Sequence, residues 1–324
     1  MLVWVGGVSP ALTSAMIKEL RQQRFDPRPA AANASIAAAT QTGNPPTVMD
    51  YQNTTVMESA WLQKQAVLRE AAARARSTRQ SAWPVVHHVT YASGCCATSL
   101  QKNHDAAVQH GALTSLALGP ADLNPTWYLE NDAVLRSKRG AGYWLWKPRV
   151  ILEALERAEW DEVVLYMDSG SLLQKPPHGL ARWAMNGSGF MHWCSPHLER
   201  VWCKRDAFVL LGLPFPDTEN QAQRTAAFVL VRKTQANLKF VHEWLRLAQD
   251  IRVVSDMPST TGPEDRAFRS HRHDQAILSL LAKRRGLPCY RDPSQWGGWS
   301  TPSSDKALCP GDYGQVIVHT RQKA

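Results

Sequence analysis

The sequence predicts an α/β protein of three layers, with helices on both faces of a mostly parallel central sheet. Three observations carry this expectation. Short apolar runs at 85–91, 163–167 and 226–231 are β-branched and too short for helices, and the middle run is apolar on both faces, as in strands covered on each side. Helical periodicity separates them, most clearly at 148–158 and 273–285. Strand and helix alternate along the chain, which implies βαβ units with right-handed crossovers.

Residues 1–80 differ from the rest. The opening MLVWVGGVSPALTSAM is apolar but lacks the basic n-region of a signal peptide, and reads as a buried terminal strand and turn. The Ala-rich, Thr/Asn/Pro-containing sequence from 27 to 46 reads as disordered, and a helix is expected at about 57–76. The chain thus divides into an N-terminal extension, 1–80, and one domain, 81–324.

Within that domain the strand at 85–91 closes on the small-residue turn Ala92-Ser93-Gly94. A helix at 100–110, a short strand at 113–118 and a helix at 127–138 come next. Pro148 stands in the first turn of the next helix, where a missing N–H is harmless, and Val150, Ile151, Ala154, Leu155 and Ala158 make its apolar face. The buried strand at 163–167 then ends on Asp168-Ser169-Gly170. A charged segment from Trp202 opens a helix that ends near Leu211. After the strand at 226–231, Thr234 N-caps a helix with Leu238, Val241, Leu245 and Ala248 on one face. Gly286 closes the helix at 273–285, and 316–318 is a last short strand.

Composition narrows the function. The 324 residues are 44% hydrophobic and 20% charged, a globular balance, and no apolar run approaches the ~20 residues that span a bilayer. The net charge of +9 favours anionic partners. Nucleic acid ranks last among these, because the basic residues are scattered and no nucleic-acid-binding motif is present. The six cysteines form no C-x-x-C pair, which argues against a structural zinc site. Cys194–Cys203 and Cys289–Cys309 are conceivable disulfides, and buried thiols are the alternative. Sequons at Asn33, Asn53 and Asn186 fit a secretory or Golgi lumen if a leader or anchor is missing; otherwise the chain is cytoplasmic.

Asp168 is the leading site candidate, since open α/β sheets hold ligands at the carboxyl ends of their strands. Just upstream, GAGYWLWKP (140–148) offers Tyr143, Trp144 and Trp146 to stack on a base or sugar and Lys147 to neutralise phosphate; core anchors and a solvated cap are the other reading. Lys204 and Arg205 suit a diphosphate, with Asp206 positioning them, or make a plain charged helix start. In HRHDQ (271–275), His273, Asp274 and Gln275 suit catalysis or sugar binding, although an acid there also serves as a helix cap. His319 completes a metal site with Asp168 if the chain returns to that edge of the sheet.

Taken in order, GYWLWKP, LYMDSG, WCKRD, HRHDQAILSLL and VHTR resemble a group of nucleotide-diphospho-sugar glycosyltransferases with the GT-A fold, found in algae, bacteria and large algal viruses. The resemblance spans about residues 85–321. It implies a GT-A-like, Rossmann-type domain, a UDP- or GDP-sugar donor, a saccharide or glycoconjugate acceptor, and Mn²⁺ or Mg²⁺ on the donor diphosphate. On this reading Tyr143, Trp144, Lys147, Asp168, Ser169, Lys204 and Arg205 hold the donor. Asp168 and His319 hold the metal, His273 and Gln275 meet a sugar, and Asp274 is the base. The sequence departs from the family's Asp-x-Asp, since Gly170 stands where the second acid would be. A pseudo-transferase that binds nucleotide sugar or glycan without turnover is the alternative.

Overall fold

The computed structural model describes residues 48–78, 84–213, 218–297 and 309–320. The chain divides into two units, Met1–Gln52 and Asn53–Ala324, and both β-sheets belong to the second. The expected terminal strand at 1–16, the sequon at Asn33 and Arg321 of the closing motif lie outside the described residues.

The central sheet has five strands in the order β2-β1-β3-β6-β5: β1 Val86–Tyr91, β2 Thr114–Leu118, β3 Val163–Met167, β5 Phe190–Leu198 and β6 Ala222–Arg232. Strands β1, β2 and β3 pair in parallel, while β6 runs antiparallel to both β3 and β5. Four strands therefore point one way and β6 alone opposes them, the mostly parallel arrangement expected. A second, two-stranded antiparallel sheet joins β4, Ser171–Leu173, to β7, Ile317–His319.

The longer helices are α1 Val48–Thr78, α2 Ala97–Gln109, α3 Trp146–Arg157, α4 His178–Met185, α5 Arg205–Leu210, α6 Gln235–Ala248 and α7 His273–Arg284. Strand β3 shows why the fold has three layers. All five of its residues are buried, and its side chains alternate between two cores. Val164 and Tyr166 join the core with α3, α6 and α7, whereas Val163, Leu165 and Met167 face the core that contains Leu180, Ala181 and Ala184 of α4. Each such side chain contributes about 1.5–3 kcal/mol by leaving water.

Two expectations change. The helix predicted at 127–138 is two short pieces, Pro125–Glu130 and Asp132–Leu135. Asn124 caps the first by accepting from Trp127 N at 2.8 Å, and Asn131 sits between them with a non-helical φ of −112°. Strand β5 and helix α4 have no counterpart among the elements the sequence predicts. The polar residues of FMHWCSPHL mask a strand whose first six residues are nonetheless buried.

Helix α1 packs on the same unit from Asn53 onward. Trp61 Nε1 donates to Asp122 O, Gln65 accepts from Arg157, and Arg76 makes a two-pronged pair with Glu162 at 2.7 Å. Glu162 also meets His87 Nε2 at 2.7 Å. Burial opposes its ionisation, but these partners outweigh burial and hold its carboxyl well below the usual range.

Candidate functional site

The site begins where β3 ends. Asp168 comes directly after the last residue of that strand, and its N–H donates to Ala227 O of β6 at 2.8 Å. Tyr166, two residues earlier and so on the same face, donates through its hydroxyl to Asp168 Oδ1 at 2.6 Å. Asn103 of α2 donates from Nδ2 to both Asp168 O and Ser171 O, at 2.9 and 2.6 Å, and so clamps the turn from beneath. The Asp168 side chain remains 38% exposed, which leaves the carboxylate reachable from solvent.

Lys147 is the centre of this arrangement. Its ammonium lies 3.2 Å from Asp168 Oδ1 and 3.0 Å from Asp274 Oδ2, and donates to Ala226 O at 3.1 Å. An ammonium can donate to three partners, and two carboxylates and one carbonyl face this one. Burial disfavours the charge, but the two carboxylates outweigh it and raise the Lys147 pKa above the ordinary value. Two acids against one base leave a net charge of −1 at the carboxyl end of β3. Asp274, at the start of α7, is 4% exposed, and burial pushes its pKa up to about 6 despite the facing Lys147. Its carboxylate faces Lys147 and also takes a backbone hydrogen bond from Gln275, in the first turn of α7.

The Gly140–Trp144 loop that precedes α3 is unusual. Five successive residues have left-handed φ: Gly140 at 59°, Ala141 at 49°, Gly142 at 96°, Tyr143 at 53° and Trp144 at 58°. For L-residues this region costs about 1–2 kcal/mol each. The two glycines are needed for a second reason. A Cβ on Gly142 would lie 2.6 Å from Leu135 Cα, and one on Gly140 would overlap the Trp144 ring. The turn sets Tyr143 and Trp144, both half-buried, against the His273 ring at centroid distances of 5.0 and 5.4 Å. His273 itself has a left-handed φ of 48° and its Nδ1 lies 2.8 Å from Val254 O.

The structure brings Lys147, Asp168 and Asp274 together, and joins Tyr143, Trp144 and His273 in an adjacent aromatic group. Several expected roles change. Lys147 does not face solvent as the expected phosphate ligand would, because it is 4% exposed and set against two carboxylates and a carbonyl. His273, at 2% exposure, is packed beneath aromatic rings and is not set to touch a sugar. Trp146 is a core residue, its ring stacked on Tyr91 at 4.0 Å.

Gln275 spends its amide on β6: Oε1 accepts from Ala226 N at 3.2 Å and Nε2 donates to Gln223 at 2.8 Å. Lys204 is buried, with Nζ on the carbonyls of Met257 and Ser255 at 2.7 and 3.5 Å, so it does not face an open diphosphate site. Burial lowers its pKa accordingly. Arg205 is held on the adjoining loop through Glu264 and Thr261, while Asp206 accepts from the backbone of Thr260 and Thr261 at 2.9 Å and pairs with Lys204 at 4.0 Å.

Ser169 is partly exposed beside Asp168. His319 returns to the same edge through the β4–β7 ladder, opposite Ser171 in register, with Nδ1 3.0 Å from Ser171 Oγ. Thr320 N donates to Gly170 O at 2.9 Å and fixes that return. Tyr166 and Asn103 are site residues that sequence reasoning misses. Tyr166 carries a signal, since period two puts it on the face of Asp168, whereas Asn103 carries none.

No family model and no curated protein matches the chain. Among solved structures it is similar to the bifunctional WbbM glycosyltransferase in its apo form, with 10% identity and a TM-score of 0.43 over 76% of this chain and 47% of that one. It is also similar to the galactosyltransferase LgtC in complex with donor and acceptor sugar analogues, with 15% identity and a TM-score of 0.41 over 74% of this chain and 88% of that one. Mouse xyloside xylosyltransferase 1 gives 11% identity and a TM-score of 0.38 over 73% of this chain and 98% of that one. This chain spans about half of the WbbM chain, and identities this low say nothing of substrate or mechanism.

Proposed function

We propose that this protein is a glycosyltransferase that moves a sugar from a nucleotide-diphosphate donor, UDP- or GDP-linked, to a saccharide or glycoconjugate acceptor. The observation that carries the reading is the Asp168–Lys147–Asp274 cluster at the carboxyl end of β3, with one acid exposed and one buried. The order of the five motifs from 140 to 321 supports it.

In this reading Asp168 and His319, a partly exposed carboxylate and an imidazole on the same edge, would hold Mn²⁺ or Mg²⁺, with phosphate and water completing the shell. Such an ion would supply Lewis-acid stabilisation of the departing diphosphate. The chain's own residues prepare for that charge. Tyr166 and Lys147 hold Asp168 through Oδ1, and Asn103 holds its carbonyl, so the carboxylate is fixed in direction before a ligand arrives. Tyr143 and Trp144 offer partly exposed rings for the base or sugar.

Asp274 is the proton acceptor of an inverting transfer in this reading. With a pKa of about 6 it is ionised at neutral pH and still basic enough to take a hydroxyl proton.

The deciding experiment is thermal stabilisation by UDP, GDP and their sugars with and without Mn²⁺, then an assay of nucleotide release. Metal-dependent stabilisation lost in Asp168→Ala, together with nucleotide release, supports transfer. Stabilisation without release supports the pseudo-transferase. No response to any nucleotide overturns the donor site.

A further inference from the structure

Three cysteines that are remote in sequence meet at one point. Cys194 lies in β5, Cys289 comes after α7, and Cys309 opens the segment that leads to β7. Their sulfurs all lie within 4.8 Å of one another. Cα separations of 5.6 Å for Cys194–Cys289 and 6.5 Å for Cys194–Cys309 both fall in the range a disulfide spans, and the structure links Cys194 to each partner. The Cys289 and Cys309 sulfurs are 3.4 Å apart. One sulfur forms one disulfide, so the two linkages are alternatives. Cys203, which the sequence offers as a partner for Cys194, is a buried thiol outside this group.

We propose that Cys194, Cys289 and Cys309 form an internal thiol–disulfide exchange site with Cys194 as the shared member. In the exchange, the Cys289 thiolate attacks Cys194 Sγ and displaces Cys309. The Cys194–Cys289 bond forms, the Cys194–Cys309 bond breaks, and its electron pair leaves with Cys309 as a thiolate. Cys309 takes up the proton that Cys289 gave up, so the step is redox-neutral. The first disulfide is made by a two-electron oxidation, with a disulfide of a small thiol or of an oxidoreductase as the oxidant.

The two linkages differ in what they hold. The loop at Cys289 is already fixed to β5 by Cys194 N to Tyr290 O at 2.9 Å and Tyr290 N to His192 O at 3.0 Å. A bond from Cys194 to Cys289 therefore adds little restraint. A bond to Cys309 instead adds a covalent tie to the segment that carries His319, which Arg291 N to Pro310 O at 3.0 Å also holds to that loop. Residues flanking both partner cysteines, Pro288, Tyr290 and Pro310, line a surface cleft, and Cys309 is itself partly exposed.

The test is disulfide mapping of the full chain after trapping thiols with N-ethylmaleimide at acid pH. Cleavage after Arg200, Arg291 and Lys306 separates the three cysteines onto different peptides. Both Cys194–Cys289 and Cys194–Cys309 peptides are expected, with one alkylated cysteine among the three, and their ratio should move after incubation at pH 8 with a catalytic thiol. Cys289→Ser should lose the first peptide completely and Cys309→Ser the second. A single linkage that survives that incubation unchanged overturns the proposal. So do three alkylated thiols, or one equivalent of zinc bound to the untreated protein by elemental analysis. The wild-type map decides the matter even where a serine variant fails to fold.

Discussion

Helix α7 meets a buried lysine–carboxylate network near each of its ends, and the two behave in opposite ways. At its first turn Asp274 faces Lys147, which is 4% exposed and also touches Asp168. Near its last turn Lys283, 6% exposed, faces Glu199 at 2.5 Å. Burial penalises both ammonium groups. Lys147 has two carboxylates and its pKa is raised; Lys283 has one carboxylate, with Arg224 nearby, and burial lowers its pKa. Glu199 is closed in further by Ser279 and by Gln223 at 3.0 Å. One network is balanced and sealed, as a structural tie is. The other carries surplus negative charge and opens to solvent through Asp168, as a ligand site does.

The two lysines respond to pH with opposite signs. A raised folded pKa means that the stability Lys147 contributes is present below the ordinary lysine value and is lost as pH climbs through the higher folded value. For Lys283 the unfolded chain binds the proton more tightly, so stability rises with pH between the lowered value and the ordinary one.

The largest expected effect comes from breaking the sealed network. Glu199→Ala leaves a buried ammonium without its acid and should cost about 3–5 kcal/mol, read as a fall in denaturant midpoint. Asp168→Ala should show the opposite balance: on the proposed function transfer falls about 10²- to 10³-fold, while the loss of the Tyr166 and Lys147 contacts costs a smaller amount of stability, about 1–3 kcal/mol. Equal stability losses in the two variants would erase the contrast.

Asp274 sharpens it through pH. The log of kcat/KM should fall as pH drops through about 6, and Asp274→Asn should abolish that limb along with most of the activity. Because its folded pKa lies above the unfolded 3.8, the stability from this group is full at low pH and declines as pH rises toward about 6.

Gly142→Ala should destabilise by about 1–3 kcal/mol, since Leu135 or the turn must move. Lys64→Ala, which removes an exposed pair with Asp122, should change the stability read from the unfolding midpoint by at most about 1 kcal/mol.

What is legible in the sequence is local. Strand β3 announces itself as an unbroken apolar run, and Asp168 is placed by where that run stops. Thr234 and Gly286 mark helix ends because capping needs only neighbouring residues; Thr234 accepts from Asn237 N at 3.2 Å and Gly286 has a φ of 62°. Lys204 misleads because charge in a sequence does not reveal burial. Strand β5 escapes because antiparallel pairing with β6 buries His192 and Cys194, which interrupt the apolar pattern. The meetings of Lys147 with Asp274, of Asn103 with the Asp168 turn, and of three distant cysteines depend on topology, which no short window contains.

The left-handed run at Gly140–Trp144 has a consequence for how the molecule folds. Isolated L-residues do not hold that handedness, so we expect the turn to form late, after Leu135 and His273 have packed around it and on the native side of the folding barrier. Substitutions within it should therefore speed unfolding and leave the folding rate nearly untouched. On the proposed function, Tyr143 and Trp144 would then be presented to a ligand only when nearly everything else is in place.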